Sequence, residues 1–286
     1  MATTDDSVRA MASWGGGGEV ERSKRAPRDR RAVLHRCRPG LAGGFDYDGR
    51  RARALAASGF AAIEFGSVAA HALPGGGEAI ATLATRLAAL RRKVAVLPAI
   101  GIGIGNRPGG TGAQLTDDWR TGLAVAAPVA DYVSFNLSAR ERRHLLDVAA
   151  LPQLERAFAA LVACADCGDG VRPAVAVKLP LGPVGAPLPG AALAAVAAGV
   201  DGLIAVMPDD PGRFERLARL AEQVGTAAAI VAVGGIRTAA DVAAALAAGA
   251  CGIQVHRVFA ERGTACLPGL RAGFGGVRCA DAAETA

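Results

Sequence analysis

The chain is 286 residues long, 51% of them hydrophobic, with 38 glycines and only 4% aromatic residues. That length and composition fit one α/β barrel of ~250 residues plus tails better than two ordinary domains. No apolar run reaches the length of a membrane span, and the first residues lack the basic start and apolar stretch of a secretory signal. We therefore expect a cytoplasmic protein with no membrane partner.

The net charge of +6 is concentrated near the start of the chain. Residues 1–40 hold nine Lys/Arg and five Asp/Glu, which gives +4, and 23 minus 21 leaves +2 for the rest. The arginine-rich segment could touch a polyanion, but it has no interleaved aromatic residues and no recognition motif. We expect a disordered basic leader over residues 1–37, a flexible tail over residues 276–286, and no nucleic-acid partner.

Six cysteines are scattered along the chain, and only Cys164 and Cys167 are close in sequence. A lone CxxC with no second pair and no nearby histidine is a weak signal for zinc or redox chemistry. Two surface thiols near a helix end are the plainer interpretation. No metal site is predicted.

In chain order, eight apolar, strand-like runs follow the leader. They span residues 41–45, 60–68, 94–105, 131–137, 173–179, 202–207, 228–235 and 252–259. Alanine-rich helical stretches lie between them, at residues 49–57, 78–92, 116–126, 154–165, 191–198, 213–224 and 238–248, and residues 267–273 supply the last. Strands that alternate with helices predict parallel pairing, and eight repeats predict closure.

The predicted fold class is therefore α/β, a single (β/α)8 TIM barrel over residues 38–275. An open doubly wound sheet is the alternative, but no GxGxxG follows the first strand. The string GIGIG at 101–105 ends the third strand. Its missing side chains either leave room for something flat or form a narrow turn.

Residues 230–259 spell a strand, a two-glycine turn, a helix and another strand. Gly234 and Gly235 allow close approach to the backbone, and Thr238 with Asp241 forms a capping box. Free N–H groups at such a turn favour an anion, and the loops after strands seven and eight of α/β barrels commonly hold a phosphate. A tight turn without a ligand is the alternative.

Lys178 leads the polar residues at the strand ends, where barrel chemistry takes place. The chain has 29 Arg but only three Lys, and Lys178 ends the apolar strand PAVAVKL. A compact ammonium there suits a point-charge task, such as stabilising a negative charge on a cofactor ring or forming a Schiff base. The alternative is a buried ion pair with Glu64 or Asp46.

Other polar residues end neighbouring strands. Asn136 ends the fourth strand and offers a donor and an acceptor, or it caps the turn. Ser67 ends the second strand, and Tyr47 after the first strand contacts a ligand or lies over the mouth. At the end of the eighth strand, Arg257 is a candidate to pair with the phosphate, with His256 covering it, or Arg257 is a surface residue.

Taken together, eight strand-end segments resemble those of the dihydroorotate dehydrogenase family, in order and spacing, over nearly all of residues 38–272. They read GLAGGFDYDG, GFAAIEFGSV, GIGIG, DYVSFNLS, AVKLP, GVDGLIAVM, AVGGIRTAADV and AGACGIQVHRVF. The resemblance implies an FMN-binding α/β barrel and an oxidoreductase acting on a small molecule. A homodimer is one expectation for its assembly.

The resemblance also implies which residues bind FMN. The implied positions are Gly43, Gly44, Ser67, Asn136, Lys178, Gly234 and Gly235, with the backbone around His256 and Arg257. In the family's chemistry, Lys178 stabilises the anionic reduced flavin and Asn136 contacts both ring and substrate, so these two are the predicted catalytic residues.

Departures from the family pattern fall on the substrate side. Tyr47 and Gly103 replace a lysine and an asparagine, Met207 and Pro208 replace an asparagine and a threonine, and Ala139 stands where the family has its serine or cysteine base. Loss of a general base typically costs ~100- to 10,000-fold in rate. Glu141, His144 and Tyr47 are candidates for a displaced base.

Three hypotheses follow. The first is an FMN-dependent oxidoreductase with a substrate other than dihydroorotate and a soluble electron acceptor of unknown identity, because the leader lacks an amphipathic helical pair for reaching a membrane quinone. The second is a cofactor-free barrel that acts on a phosphorylated small molecule. The third is a catalytically inactive barrel subunit.

Overall fold

The computed structural model describes residues 30–71, 80–105, 112–166 and 172–275. Most of the predicted leader, the C-terminal tail and Cys167 of the CxxC pair lie outside the described residues. Predictions about them stay predictions.

Eight parallel strands close into one barrel in sequence order, with β8 paired to β1. This confirms the predicted (β/α)8 barrel and excludes the open sheet. The strands are β1 Gly40–Leu41, β2 Ala62–Val68, β3 Ala99–Ile104, β4 Tyr132–Asn136, β5 Ala174–Pro180, β6 Gly202–Val206, β7 Ala229–Val233 and β8 Gly252–Val255.

Helices surround the barrel. The α-helices of the described residues are α1 Ala52–Ala56, α2 Ile80–Lys93, α3 Gly112–Ala126, α4 Leu151–Asp166, α5 Gly190–Ala197, α6 Arg213–Val224, α7 Ala239–Ala247, α8 Arg257–Arg262 and α9 Leu267–Ala272. Short 3-10 helices lie at Arg30–Arg36, Arg140–Leu146, Val148–Ala150 and Gly263–Cys266.

Two buried clusters follow from the period-2 alternation of the strands. In β5, Val175, Val177 and Leu179 point outward and join the large cluster between barrel and helices. Ala174 and Ala176 point inward and join a second cluster of small side chains that fills the barrel. Lys178 is next in this inward series, so its strand position aims it at the barrel axis near the carboxyl ends of the strands.

The base of the barrel is closed by the 3-10 helix Arg30–Arg36. Its Leu34 is fully buried in the inner cluster, and a side chain on Gly202 of β6 would overlap Leu34. Just after this helix, the Cys37 carbonyl accepts a hydrogen bond from Ile253 N of β8 at 2.7 Å. The predicted boundary between leader and barrel at residue 38 was therefore placed too late, because residues 30–37 supply part of the core.

Some predicted strands were too long. β8 ends at Val255, and Arg257 begins α8, so the run to Phe259 was wrong for its last residues. β1 has only two residues, and β3 begins at Ala99 where residue 94 was expected. In each case apolar residues beyond the barrel pack in turns or helices, and hydrophobicity alone does not distinguish these from a buried strand.

By length and composition alone, one segment of the described chain, Val148–Asp166, could cross a membrane. The sequence interpretation had found no run of that length. The segment contains α4, whose Leu154, Phe158 and Leu161 are fully buried in the outer cluster. This packing accounts for the apolar residues on one face of the segment, of whose apolar window 28% is buried.

Candidate functional site

A cleft of about 240 Å³ opens at the carboxyl ends of the strands. That volume is slightly below the ~300–1,000 Å³ usual for small-molecule sites. Five of the nine residues predicted to bind the cofactor line it, and so do two predicted candidates for a displaced base. The lining residues are Gly43, Gly44, Tyr47, Glu64, Gly66, Ser67, Asn136, Ala139, Glu141, Arg142 and Lys178.

Lys178 forms a buried ion pair at the floor of this cleft. Its Nζ lies 2.8 Å from Glu64 Oε1, and the two side chains are 10% and 1% exposed. This is the ion pair that the sequence left as an alternative, with Glu64 as the partner. The Lys178 ammonium has three N–H donors, and among the described residues the bond to Glu64 uses one of them. Lys178 can therefore still donate into the cleft.

Asp46, the other candidate partner, has a local role. Its carboxylate accepts hydrogen bonds from the backbone N–H of Gly49 at 2.8 Å and of Arg51 at 2.9 Å. Burial raises the pKa of Asp46, and these backbone bonds oppose the rise. Asp46 therefore shapes the turn that leads into α1.

Below the ion pair, Glu64 connects to a buried polar layer inside the barrel. Gln254 Nε2 donates to Glu64 Oε2 at 3.2 Å and to the Tyr132 hydroxyl at 2.9 Å. Burial, together with the nearby Glu64 carboxylate, raises the pKa of Tyr132 well above its usual 10. Tyr132 is therefore a neutral phenol that supports the floor of the cleft.

The glycines of GIGIG each make room for a different neighbour. A side chain on Gly101 would overlap the Tyr132 ring, and one on Gly105 would overlap the Arg142 guanidinium. A side chain on Gly103 would come within 3.1 Å of Ser67 Oγ. The sequence left open whether these glycines make room for a flat ligand. At Gly101 and Gly105 the space is occupied by side chains of the protein itself.

Asn136 is held in one orientation. Its Nδ2 donates to Ser67 Oγ at 2.7 Å, and its Oδ1 accepts from Ser138 N at 2.8 Å and from Ser138 Oγ at 2.6 Å. The bond from Ser138 N to Asn136 Oδ1 is the turn-capping interaction weighed in the sequence. Capping and lining the cleft are compatible, because the same amide joins the ends of β2 and β4.

The predicted phosphate turn has the expected geometry. Gly234 and Gly235 have φ angles of +100° and +68°, which disfavour any other residue. The Thr238/Asp241 capping box at the start of α7 is present. Burial alone would raise the pKa of Asp241, but hydrogen bonds from the backbone of Arg237, from Thr238 and from Arg213 lower it.

Arg213 is a cation at this turn that the sequence interpretation did not identify. Its Nη2 pairs with Asp241 Oδ1 at 3.0 Å, and its Nε would lie 3.0 Å from a side chain on Gly235. Nε is buried and has no hydrogen-bond partner in the described chain. A donor of this kind beside a glycine turn suits an anion.

His256 and Arg257, both predicted to be near the phosphate, lie in different surroundings. The His256 ring stacks on Phe45, with centroids 4.5 Å apart, and a side chain on Gly44 would approach its Nε2 to 2.9 Å. His256 thus borders the cleft. Arg257 is 75% exposed and lies 3.9 Å from Asp209, which is 88% exposed. Of the two interpretations of Arg257, a phosphate partner or a surface residue, this environment favours the surface residue.

The three candidates for a displaced base are not equally placed. Glu141 and Tyr47 line the cleft, as Ala139 does, whereas His144 is not among the lining residues. Tyr47 is 55% exposed, in keeping with a rim position.

The sequence interpretation missed Gln254 and Tyr132 as well as Arg213 and Arg142. A polar residue at an inward strand position, as in GIQV of β8, was an available signal. Arg213 and Arg142 gave none, because the chain is rich in arginine and spacing does not show which arginine turns inward.

Several relatives of known function match most of the chain. It is 30% identical over 289 residues to the dihydroorotate dehydrogenase (quinone) of Clavibacter sepedonicus, covering 84% of this chain and 81% of that protein. The enzyme of the same name from Pseudarthrobacter chlorophenolicus is 28% identical over 276 residues, 78% of each chain. No family model matches the chain.

Solved structures share the fold. A DHODH from Eimeria tenella in complex with ferulenol superimposes with a TM-score of 0.69 at 19% identity, covering 82% of this chain and 79% of that one. The ligand-free form of the Eimeria tenella protein gives 0.70 at 18% identity, covering 82% and 83%.

Fold and cleft define an α/β-barrel protein with its site at the carboxyl ends of the strands, where barrel enzymes have their active sites. With the match to the Clavibacter protein, the chain belongs to the dihydroorotate dehydrogenase family. Members of this family are flavin-dependent oxidoreductases, and this chain is an enzyme of that class.

Proposed function

We propose that the protein is an FMN-dependent oxidoreductase whose substrate is a small molecule other than dihydroorotate. One observation carries the proposal. Five of the residues expected to bind the flavin line the cleft, yet Ala139, which lines it too, has no group that can accept a proton.

The residues present fit FMN at both of its ends. At the phosphate end, Gly234 and Gly235 adopt the turn, and the partnerless Nε of Arg213 lies beside it. At the ring end, Ser67, Asn136 and Lys178 line one cleft. These residues would hold the cofactor, and FMN, when bound, supplies the two-electron chemistry that side chains lack.

Lys178 and Asn136 would perform the protein's part of the reaction. The Lys178 ammonium, held by Glu64, supplies a fixed positive charge that stabilises negative charge developing in the cleft. Asn136, held by Ser67 and Ser138, orients what lies against it. Preorganised groups of this kind need no rearrangement during the reaction.

Glu141 is our proposed acceptor for a substrate proton. Of the two candidates that line the cleft, it offers a carboxylate, whereas the Tyr47 phenol carries its own proton. Glu141 is exposed, so a proton that it takes up can pass on to water.

The electron acceptor is a separate proposal. The relatives are named for quinone, and this favours a quinone over the soluble acceptor expected from the leader. Reoxidation of the reduced protein by a water-soluble ubiquinone analogue, compared with NAD⁺ and fumarate, decides between them. A cytoplasmic location also stays a proposal, to be checked by cell fractionation.

The two rival functions make different predictions. A Schiff-base barrel needs Lys178 Nζ free to attack, whereas Glu64 engages that atom at 2.8 Å. An inactive subunit would bind flavin without turnover, or bind none.

The primary test is cofactor binding. We expect purified protein to be yellow and to release FMN on denaturation. Arg213→Met should weaken FMN about 10-fold or more, because a charge-assisted hydrogen bond is lost, but should leave riboflavin, which lacks the phosphate, unchanged. Arg219→Met, an exposed residue of the same helix, is the matched control. Protein that stays colourless after addition of FMN would contradict the proposal.

A further inference from the structure

Helix α5 lies on the outside of the barrel although it has no polar side chain. From Leu181 to Val200, through the loop after β5 and then α5, no side chain is charged or able to form a hydrogen bond. Prolines at 183, 187 and 189 interrupt this run, and Gly190–Ala197 is its helical part. A helix that is hydrophobic on all sides is normally buried on all sides.

One side of α5 is nevertheless open to solvent. Its Ala191, Ala192 and Ala195 are buried in the outer cluster. Leu193, by contrast, is 41% exposed, and it is the one exposed leucine of the described residues. We call the outward side of the helix the apolar face of α5; it consists of Gly190, Leu193, Ala194, Val196 and Ala197, each exposed or half-buried.

The helices before and after α5 in the chain have charged outward sides. Helix α4 exposes Glu155 and Arg156, and α6 exposes Glu215 and Arg219. The apolar face therefore has charged residues of both signs on its two flanks and none of its own. Exposed apolar surface with a polar rim is typical of an interaction site.

We infer that the apolar face of α5 binds the same face of a second copy of this chain, related by a two-fold axis. This goes beyond the proposed function and does not depend on it. In such a contact one surface has to complement itself. Leu193 projects between Gly190 and Ala197, one turn before it and one turn after it, so the leucine of each copy can pack against small residues of the other.

Charge also favours a second copy. A face without charges meets no like charge on its own copy, whereas the flanks, with both signs, can pair across the axis. A membrane is a poorer partner, because helices that lie on membranes combine an apolar side with Lys and Arg, and residues 181–200 contain neither.

The size of the contact predicts a weak dimer. Helix α5 has eight residues, which corresponds to a length of about 12 Å. A standard protein interface buries ~800 Å² on each partner, and a contact centred on so short a helix falls below this. We therefore expect a dissociation constant of about 10–100 µM.

Sedimentation velocity of the full-length chain, with and without added FMN, tests the inference at about 1 to 500 µM protein. We expect the unchanged chain to pass from monomer to dimer over this range. Leu193→Arg should raise the dissociation constant at least ~100-fold, because two like charges then meet at the axis. An equimolar mixture of Leu193→Arg and Leu193→Glu chains should dimerise again, because opposite charges then face each other.

Val96→Arg, which changes another exposed apolar residue in the connection before β3, is the matched control and should leave the dimer unchanged. An unchanged chain that stays monomeric throughout overturns the inference, and so does a dimer that survives Leu193→Arg. A mixture of the Arg and Glu chains that stays monomeric overturns the two-fold packing. Binding to phosphatidylcholine vesicles that Leu193→Arg abolishes, without self-association, overturns it in favour of a membrane surface.

Failure of this inference is distinguishable from failure of the proposed function. The visible absorption of the same samples reports whether FMN is bound. Protein that binds FMN but stays monomeric keeps its function and loses the role of α5, whereas a colourless dimer that depends on Leu193 keeps the contact and loses the proposed function.

Discussion

Lys178 and Glu64 set the electrostatics of the cleft at the scale of single residues. Removing one partner of a buried ion pair leaves an uncompensated charge and typically costs about 3–5 kcal/mol. The 2.8 Å contact therefore fixes the position of Lys178. An arginine would fill more of the inner barrel, which explains the use of a rare lysine in an arginine-rich chain.

The pKa of His256, which borders the cleft, depends in part on the charge of Lys178. Partial burial against Phe45 lowers the pKa of His256 from 6.5, and the positive charges of Lys178 and Arg257 lower it further. We expect its NMR titration midpoint to lie below 6.5 and to rise toward 6.5 in Lys178→Met. Lys93→Met, which changes an exposed lysine, should leave the midpoint where it was.

The sign of the accompanying stability change follows from linkage. The folded chain binds a proton at His256 less readily than the unfolded chain, whose histidine titrates near 6.5. The contribution of His256 to stability is thus fully present above 6.5 and is lost as pH falls through the folded pKa. A midpoint above 6.5 in the native protein would contradict this account.

How far the sequence predicts individual site residues depends on local context. Lys178 and Asn136 stood out because polar side chains end apolar strands. Glu64 was named only as a partner, and the inward turn of Arg142 depends on space left by Gly105, which lies 37 positions away in the chain. Such contacts between distant segments are set by tertiary packing, and no local pattern records them.

At the scale of elements, order and type were predictable and strand ends were not. Alternation of apolar runs with helical stretches identified all eight strands of the barrel. The predicted runs for β1, β3 and β8 extend beyond the residues that pair with neighbouring strands. The apolar sequence continues there into residues that pack beneath helices. A strand ends where its pairing with the neighbouring strand ends, and the sequence of one strand does not show where that is.

Arg216 of α6 fixes the connection from β5 to α5. Arg216 is 1% exposed, and its guanidinium donates hydrogen bonds to three backbone carbonyls of that connection. Nε donates to Leu181 at 2.9 Å and Nη2 to Pro187 at 2.7 Å. Nη1 donates to Ala186. Arg216→Met leaves three carbonyl oxygens without their donor. We expect faster hydrogen exchange in residues 181–189, with a loss of about 2–4 kcal/mol in the free energy of unfolding.

Arg219→Met, one turn away on the exposed face, should change exchange in that connection little. Equal exchange in the Arg216 and Arg219 variants would show that the connection does not depend on this clamp.

The whole molecule is a barrel filled mainly by small side chains and closed at its base. The inner cluster contains six alanines, which cannot by themselves fill the cavity that larger branched residues occupy in many barrels. They are Ala42, Ala62, Ala99, Ala174, Ala176 and Ala229. Tyr132 and Leu34 supply the bulk from above and below. Composition does not show that residues before position 38 take part in the core.

Leu34 should therefore be among the costliest residues to truncate, although it precedes the first strand. Leu34→Ala opens a cavity between Gly202 and the inner alanines, and a buried leucine lost in this way typically costs about 2–5 kcal/mol. Urea denaturation of the full-length chain measures the change. Ala32→Ser, on the exposed side of the same 3-10 helix, should stay within about 0.5 kcal/mol. If Leu34→Ala were as stable as Ala32→Ser, residues 30–37 would be a leader after all, and the inner cluster would be complete without them.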